Sequence, residues 1–89
     1  MGYAGQAGST HTMTEPLYRQ IMADIRDRIA SGRWTREQPL PSTPDLVALY
    51  TREFDRPVSV ATVRLAVTIL IEMGELRGPG GKGVYIADY

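Results

Sequence analysis

At 89 residues with 43% hydrophobic content, the chain has material for one small core and hence one domain. It contains no cysteine, which excludes a disulfide framework and a thiolate metal site, and a single histidine, His11, which argues against a histidine-based metal site or a histidine triad. Ten basic residues balance ten acidic ones, which argues against the non-specific polyanion binding of a strongly basic domain, so any contact with nucleic acid has to come from local clustering.

Residues 1–13 carry three glycines, no formal charge and no periodicity, and are predicted to be a disordered tail with His11 solvated. No apolar run approaches the roughly 20 residues that cross a bilayer, and the N-terminus lacks a basic stretch followed by an apolar one. The expectation is a cytoplasmic protein with no membrane partner.

The first helix is predicted to begin at Thr14-Glu15-Pro16, with proline in the first turn where its missing N–H needs no partner. Leu17, Tyr18, Ile21, Met22, Ile25 and Ile29 follow at helical spacing as a buried stripe, and Ser31-Gly32 supplies the stop. Arg19, Asp24, Arg26, Asp27 and Arg28 occupy or border the other face. A solvated face is the favoured reading, with Arg26 or Arg28 on a phosphate as the alternative. Arg33 to Leu40 reads as an extended connector in which Trp34 serves as a core anchor; a lone aromatic is a poor stacking platform for single strands.

Pro41-Ser42-Thr43-Pro44-Asp45 reads as the start of a second helix, because Ser-x-x-Asp fits a capping box and Pro44 falls in the first turn. Leu46, Val47, Leu49, Tyr50 and Phe54 continue it, and Asp55-Arg56-Pro57 ends it. The stretch from Val58 to Gly74 is the third helix. Ser59 is its cap, and Val63, Ala66, Val67, Leu70 and Met73 form a stripe predicted to face the core, with Gly74 as the stop. Ser59, Thr62 and Arg64 lie on or beside the free face, a combination suited to phosphates and base edges. After Gly74 the pattern turns extended: Leu76, a turn at Gly78-Pro79-Gly80-Gly81-Lys82-Gly83, then Val84-Tyr85-Ile86 predict a β-hairpin. A phosphate-cradling loop would need a strand, helix and Gly-Lys-Ser/Thr order that is missing.

The predicted architecture is therefore mainly α with a small β-hairpin, a winged helix-turn-helix over residues 14–89. In that order, Pro16-Leu17-Tyr18 to Gly32, Leu40-Pro41-Ser42, Val58-Ser59-x-x-Thr62-Val63-Arg64-x-Ala66, Leu70, Gly74 and Gly81-x-Gly83-x-x-Ile86 resemble the DNA-binding domain of GntR-type transcriptional regulators. The resemblance implies a bacterial regulator that binds a double-stranded DNA operator, a short inverted repeat, as a dimer. The second and third helices would address the major groove and the wing the minor groove or backbone. The candidate DNA-binding set is Ser42 and Thr43, Arg52 and Arg56, Ser59, Val60, Ala61, Thr62 and Arg64, then Arg77, Gly80, Gly81 and Lys82.

Departures from the family accompany the match. Pro44 and Val60 stand where the family often has arginine. The connection from Thr51 to Pro57 is longer than the common pattern and brings in Arg52 and Arg56, which are expected to replace the lost cations. Leu65, Ile69 and Ile71 are apolar where polar residues are usual. They imply either packing under the longer connection or a neighbouring helix, which is the favoured reading, or a surface for a partner, including a weak homodimer. The chain stops at Tyr89, immediately after the wing, so the expectation is no small-molecule effector domain in this chain, which is read as a stand-alone regulator or a fragment of something longer. The competing function is a winged helix turned to protein–protein interaction, supported by the zero net charge, the two missing arginines and the expected exposure of Leu65 and Ile69. The carboxylates are scattered beside arginines without an acid–base or nucleophile–base pair, so no enzyme, cofactor or metal is expected.

Overall fold

The computed structural model describes residues 15–78 and 83–87. The predicted tail at 1–13, with His11, lies outside them, as do Gly80, Gly81 and Lys82.

Helix α1 spans Leu17–Ala30, with Pro16 in the cap position just before the first turn. With φ −59° and ψ 147°, Pro16 is extended, and its carbonyl accepts from Arg19 N at 3.0 Å and Gln20 N at 3.3 Å. The helix ends as predicted. Gly32 adopts φ 83°, which lets Gly32 N donate to Ile29 O and Arg33 N to Arg28 O.

The segment from Arg33 to Leu40 is a series of turns, a correction to the extended connector. Only its end is strand-like: Leu40 is buried, and its N–H donates to Val84 O at 2.8 Å, tying the connector to the wing. Helix α2 is Thr43–Phe54. Ser42 caps it by accepting from Asp45 N, while the return bond of a full capping box is not formed among the described residues. Its end is set by Asp55 in the left-handed region, φ 53° and ψ 44°, a conformation that aspartate tolerates better than most side chains. Because α2 runs to Phe54, much of the extra length between the second and third helices is a helical turn. The true connection is short, and Val58 N donates back to Thr51 Oγ1 at 3.3 Å to fix it.

Helix α3 is Val60–Glu72, and Gly74 at φ 81° allows Glu75 N to donate to Leu70 O. Strands β1, Leu76–Arg77, and β2, Tyr85–Ile86, pair antiparallel with Leu76 opposite Ile86 and Arg77 opposite Tyr85. A hairpin this short is marginal by itself. It holds here because Leu76 and Ile86, on one face, are both buried in the common core.

That core joins Ile21, Met22 and Ile25 of α1, Leu46 and Tyr50 of α2, and Val63, Ala66 and Leu70 of α3, with Leu40 and Val58 from the connections. Helix α3 is the central element, packed against α1, α2 and β1. One predicted core residue fails: Met73 is 55% exposed. At that level α1 offers Arg26 in place of an apolar side chain, and its Nη2 lies 3.5 Å from Met73 Sδ. Ile69 and Ile71 pack on the core edge, whereas Leu65 is 45% exposed.

Candidate nucleic-acid interface

The packing of α1, α2 and β1 on α3 leaves it one outward arc: Val60, Ala61, Arg64, Leu65, Thr68 and Glu72, all exposed. The N-terminal turns of that arc are apolar and cationic, and the acid Glu72 lies at the far end. A polyanion is therefore met best at the N-terminal end, where the helix dipole also has its positive pole.

The hydroxyls of this end are engaged with each other. Ser59 Oγ accepts from Thr62 N at 3.1 Å and shares a hydrogen bond with Thr62 Oγ1 at 2.8 Å. Sequence reasoning placed both as DNA contacts; their first task in the folded chain is to start α3. Thr62 is half-buried and Ser59 exposed.

The other candidates fall on three elements. Ser42 and Thr43 lie at the start of α2, with Ser42 Oγ used in the cap. Arg52 is in the last turn of α2 and Arg56 in the turn that leads to α3, both exposed. Arg77 projects from β1 with its guanidinium carbon 5.2 Å from the centroid of the Tyr85 ring, a cation–π contact that lays the side chain along the wing.

The arginines divide into two groups. Arg26 and Arg28, read from sequence as a solvated face, are both paired with carboxylates of the protein itself: Arg26 remains exposed, as expected, whereas Arg28 is largely covered. Arg26 grips the Glu75 carboxylate with Nε at 2.7 Å and Nη2 at 2.8 Å, joining α1 to the base of the wing. This pair raises the Arg26 pKa and holds the Glu75 carboxyl below its usual value, in each case chiefly through the hydrogen bond between them. Arg28 Nε binds Asp24 Oδ2 at 2.6 Å, its Nη2 lies 3.7 Å from Glu53 Oε2, and its guanidinium carbon is 5.5 Å from the Trp34 ring centroid. Tyr50 OH donates to the same Asp24 oxygen at 2.8 Å, and burial together with that bond pushes the phenol pKa well above its ordinary value. This network fastens α2 to α1 and thereby sets where α2 stands relative to α3. The i,i+4 spacing of Asp24 and Arg28 was a sequence signal for part of it; nothing local connects Arg26 with Glu75.

By contrast, Arg52, Arg56, Arg64 and Arg77 have no carboxylate within ion-pair distance among the described residues, a state they share with Arg19, Arg33 and Arg36. Among the same residues no group of acids and histidine could hold a metal ion.

Three helices with an outward face on the third and a two-stranded hairpin behind it define a winged helix-turn-helix, a DNA-binding class. Comparison with known proteins makes the class specific. Residues 17–86 match the family model described as bacterial regulatory proteins, gntR family. The chain is 32% identical over 72 residues to the HTH-type transcriptional repressor NagR of Bacillus subtilis (strain 168), an alignment taking in 81% of this chain and 27% of that protein. It also resembles the NTD of AraR, crystallised in complex with mutant ORR3, with a TM-score of 0.66 and 29% identity, covering 81% of this chain and 94% of that one.

The chain belongs to the gntR family of bacterial regulatory proteins, and its helices and wing are the DNA-binding domain of a transcriptional regulator. It spans about a quarter of the length of NagR, the curated relative it matches.

Proposed function

We propose that residues 14–89 bind a double-stranded DNA operator, with the N-terminal turns of α3 in the major groove, α2 behind it against the backbone, and the wing at the adjacent minor groove or backbone. In this reading Arg64, Val60 and Ala61 meet base edges, with Ser59 and Thr62 shaping the approach. Ser42, Thr43, Arg52 and Arg56 hold phosphates from α2 and the turn that follows it. Arg77, Gly80, Gly81 and Lys82 serve the wing. The operator is an inverted repeat met by two copies that pair weakly without it, and the protein acts in the bacterial cytoplasm, where the chromosome is. The observation that carries the proposal is the division of the arginines: Arg26 and Arg28 are paired with carboxylates within the fold, while Arg52, Arg56, Arg64 and Arg77, on the helix-turn-helix and wing, have no carboxylate within ion-pair distance among the described residues.

A salt-titrated binding assay on the DNA upstream of the protein's own gene, against an unrelated duplex, tests it. With a handful of phosphate contacts, the logarithm of affinity is expected to fall with the logarithm of salt with a slope of about −3 to −5. Binding that shows neither salt dependence nor preference for the upstream duplex assigns the fold to protein–protein interaction.

A further inference from the structure

The outward arc of α3 has a composition that names what it reads. Val60 and Leu65 are each 45% exposed, large apolar side chains held in water on either side of Arg64, and Ala61 lies beside them. Val60 is the first residue of the helix and Leu65 is in its second turn, so both belong to the end that a helix-turn-helix presents to bases. The two hydroxyls at this end are bonded to each other, which uses one of their two O–H donors and, with the Thr62 N–H bond to Ser59 Oγ, commits Ser59 to the cap, so that the exposed arc itself offers mainly apolar side chains and Arg64 to base edges. In the major groove the apolar feature that distinguishes one base pair from another is the C5 methyl of thymine.

We propose that Val60 and Leu65 are specificity-determining residues that pack on thymine methyl groups, so that the site consists of A·T pairs flanking the position met by Arg64. This deepens the reading of α3 as the major-groove helix and rests on it. The free energy is that of removing a methyl and an exposed aliphatic side chain from water together. It also gives the two apolar residues a partner that the described residues do not provide. Arg64 between them favours a groove edged by phosphates over an apolar protein face, where its charge would have to be desolvated.

The test uses the full chain and a duplex enriched by it from a random library. Thymines in that duplex are replaced one at a time by deoxyuridine, which removes only the methyl and leaves pairing intact. We expect about a three- to fivefold loss of affinity at one or two positions per half-site, the size of burying one methyl-sized group, and little change elsewhere. Val60→Ala should abolish the loss at one position and Leu65→Ala at another. Both residues are exposed, so both variants should fold normally, checked by circular dichroism. Wild-type protein that binds the enriched duplex but is indifferent to deoxyuridine at every thymine overturns the inference while leaving DNA binding intact. Sensitivity that survives both substitutions overturns it as well. If Leu65→Ala instead changes only self-association in sedimentation, the face belongs to a second copy. A library from which no sequence is enriched overturns DNA reading itself, and this inference with it.

Discussion

Arg64 and Tyr50 represent the two fates of a polar side chain in this domain, one left free and one consumed by the fold. Arg64 is exposed and has no carboxylate partner among the described residues, so its removal should leave thermal stability unchanged. Arg64→Ala is expected to cost about 1–3 kcal/mol of operator affinity if the guanidinium meets a guanine edge. Fluorescence anisotropy on wild-type and base-substituted duplexes separates that role from a phosphate contact, which weakens all sequences alike. Tyr50 is fully buried and donates to Asp24. Tyr50→Phe should cost about 1.5–3 kcal/mol in denaturant unfolding at neutral pH, the worth of one hydrogen bond to a charged group. The phenol also confers a pH dependence. Its folded pKa is raised above the unfolded value of about 10, so the stability it contributes is fully present below pH ~10 and is lost as pH rises through the folded value. Alkaline unfolding should therefore be steeper for wild type than for Tyr50→Phe, and equal slopes would show that Tyr50 has no part in it.

At the scale of elements, helix ends and wing are held by different means. Ser59 is the sole side-chain cap of α3, so Ser59→Ala is expected to cost about 0.5–2 kcal/mol and, by fraying the first turn, to displace Val60 and weaken DNA binding with it. Ser59→Asp should restore the cap and the fold; recovered stability without recovered affinity would show that the serine, or the absence of a negative charge, matters at the DNA. The wing base is governed by Glu75, whose backbone joins Leu70 and Ala87 and whose carboxylate is gripped by Arg26. Both side chains are more than a third exposed, so the pair is worth only about 0.2–1 kcal/mol. Its sign is nevertheless definite. The Glu75 pKa is depressed in the fold, so the contribution is present above the unfolded carboxyl value near 4.3 and lost as pH falls through the lower folded value. Glu75→Gln should flatten this acid limb of a pH–stability curve; an unchanged limb would assign acid sensitivity to other carboxylates.

For the whole molecule, one winged helix contacts few base pairs and buries roughly 600–1,000 Å² of its own surface, so a second half-site is needed for useful affinity. Sedimentation with and without an inverted-repeat duplex should show weak self-association in free solution and two copies on the DNA, because simultaneous engagement raises avidity. A strict one-to-one complex, no tighter than on one half-site, would exclude that arrangement. Much of the architecture was legible beforehand. The three helices, the Ser42 and Ser59 caps, the stops at Gly32 and Gly74 and the hairpin all follow from residues within a turn or two of one another, and interactions of that range are written directly in the order of the chain. Residue type alone did not decide exposure: Leu65, Ile69 and Met73 are all apolar on α3, yet only Ile69 of the three packs on the core edge. Nor could it separate Arg26, spent on Glu75 across the fold, from Arg52 and Arg64, which have no carboxylate partner among the described residues; only Arg28 had a local signal, in Asp24 one turn before it. Those outcomes depend on which surfaces meet when α1, α2 and the wing close on α3, and Arg26 and Glu75 become neighbours only through that closure. The sequence by itself determined the elements and the face that α3 keeps free. Tertiary packing decided which charges and apolar groups remain on that face, because burial and pairing are properties of contacts between distant segments.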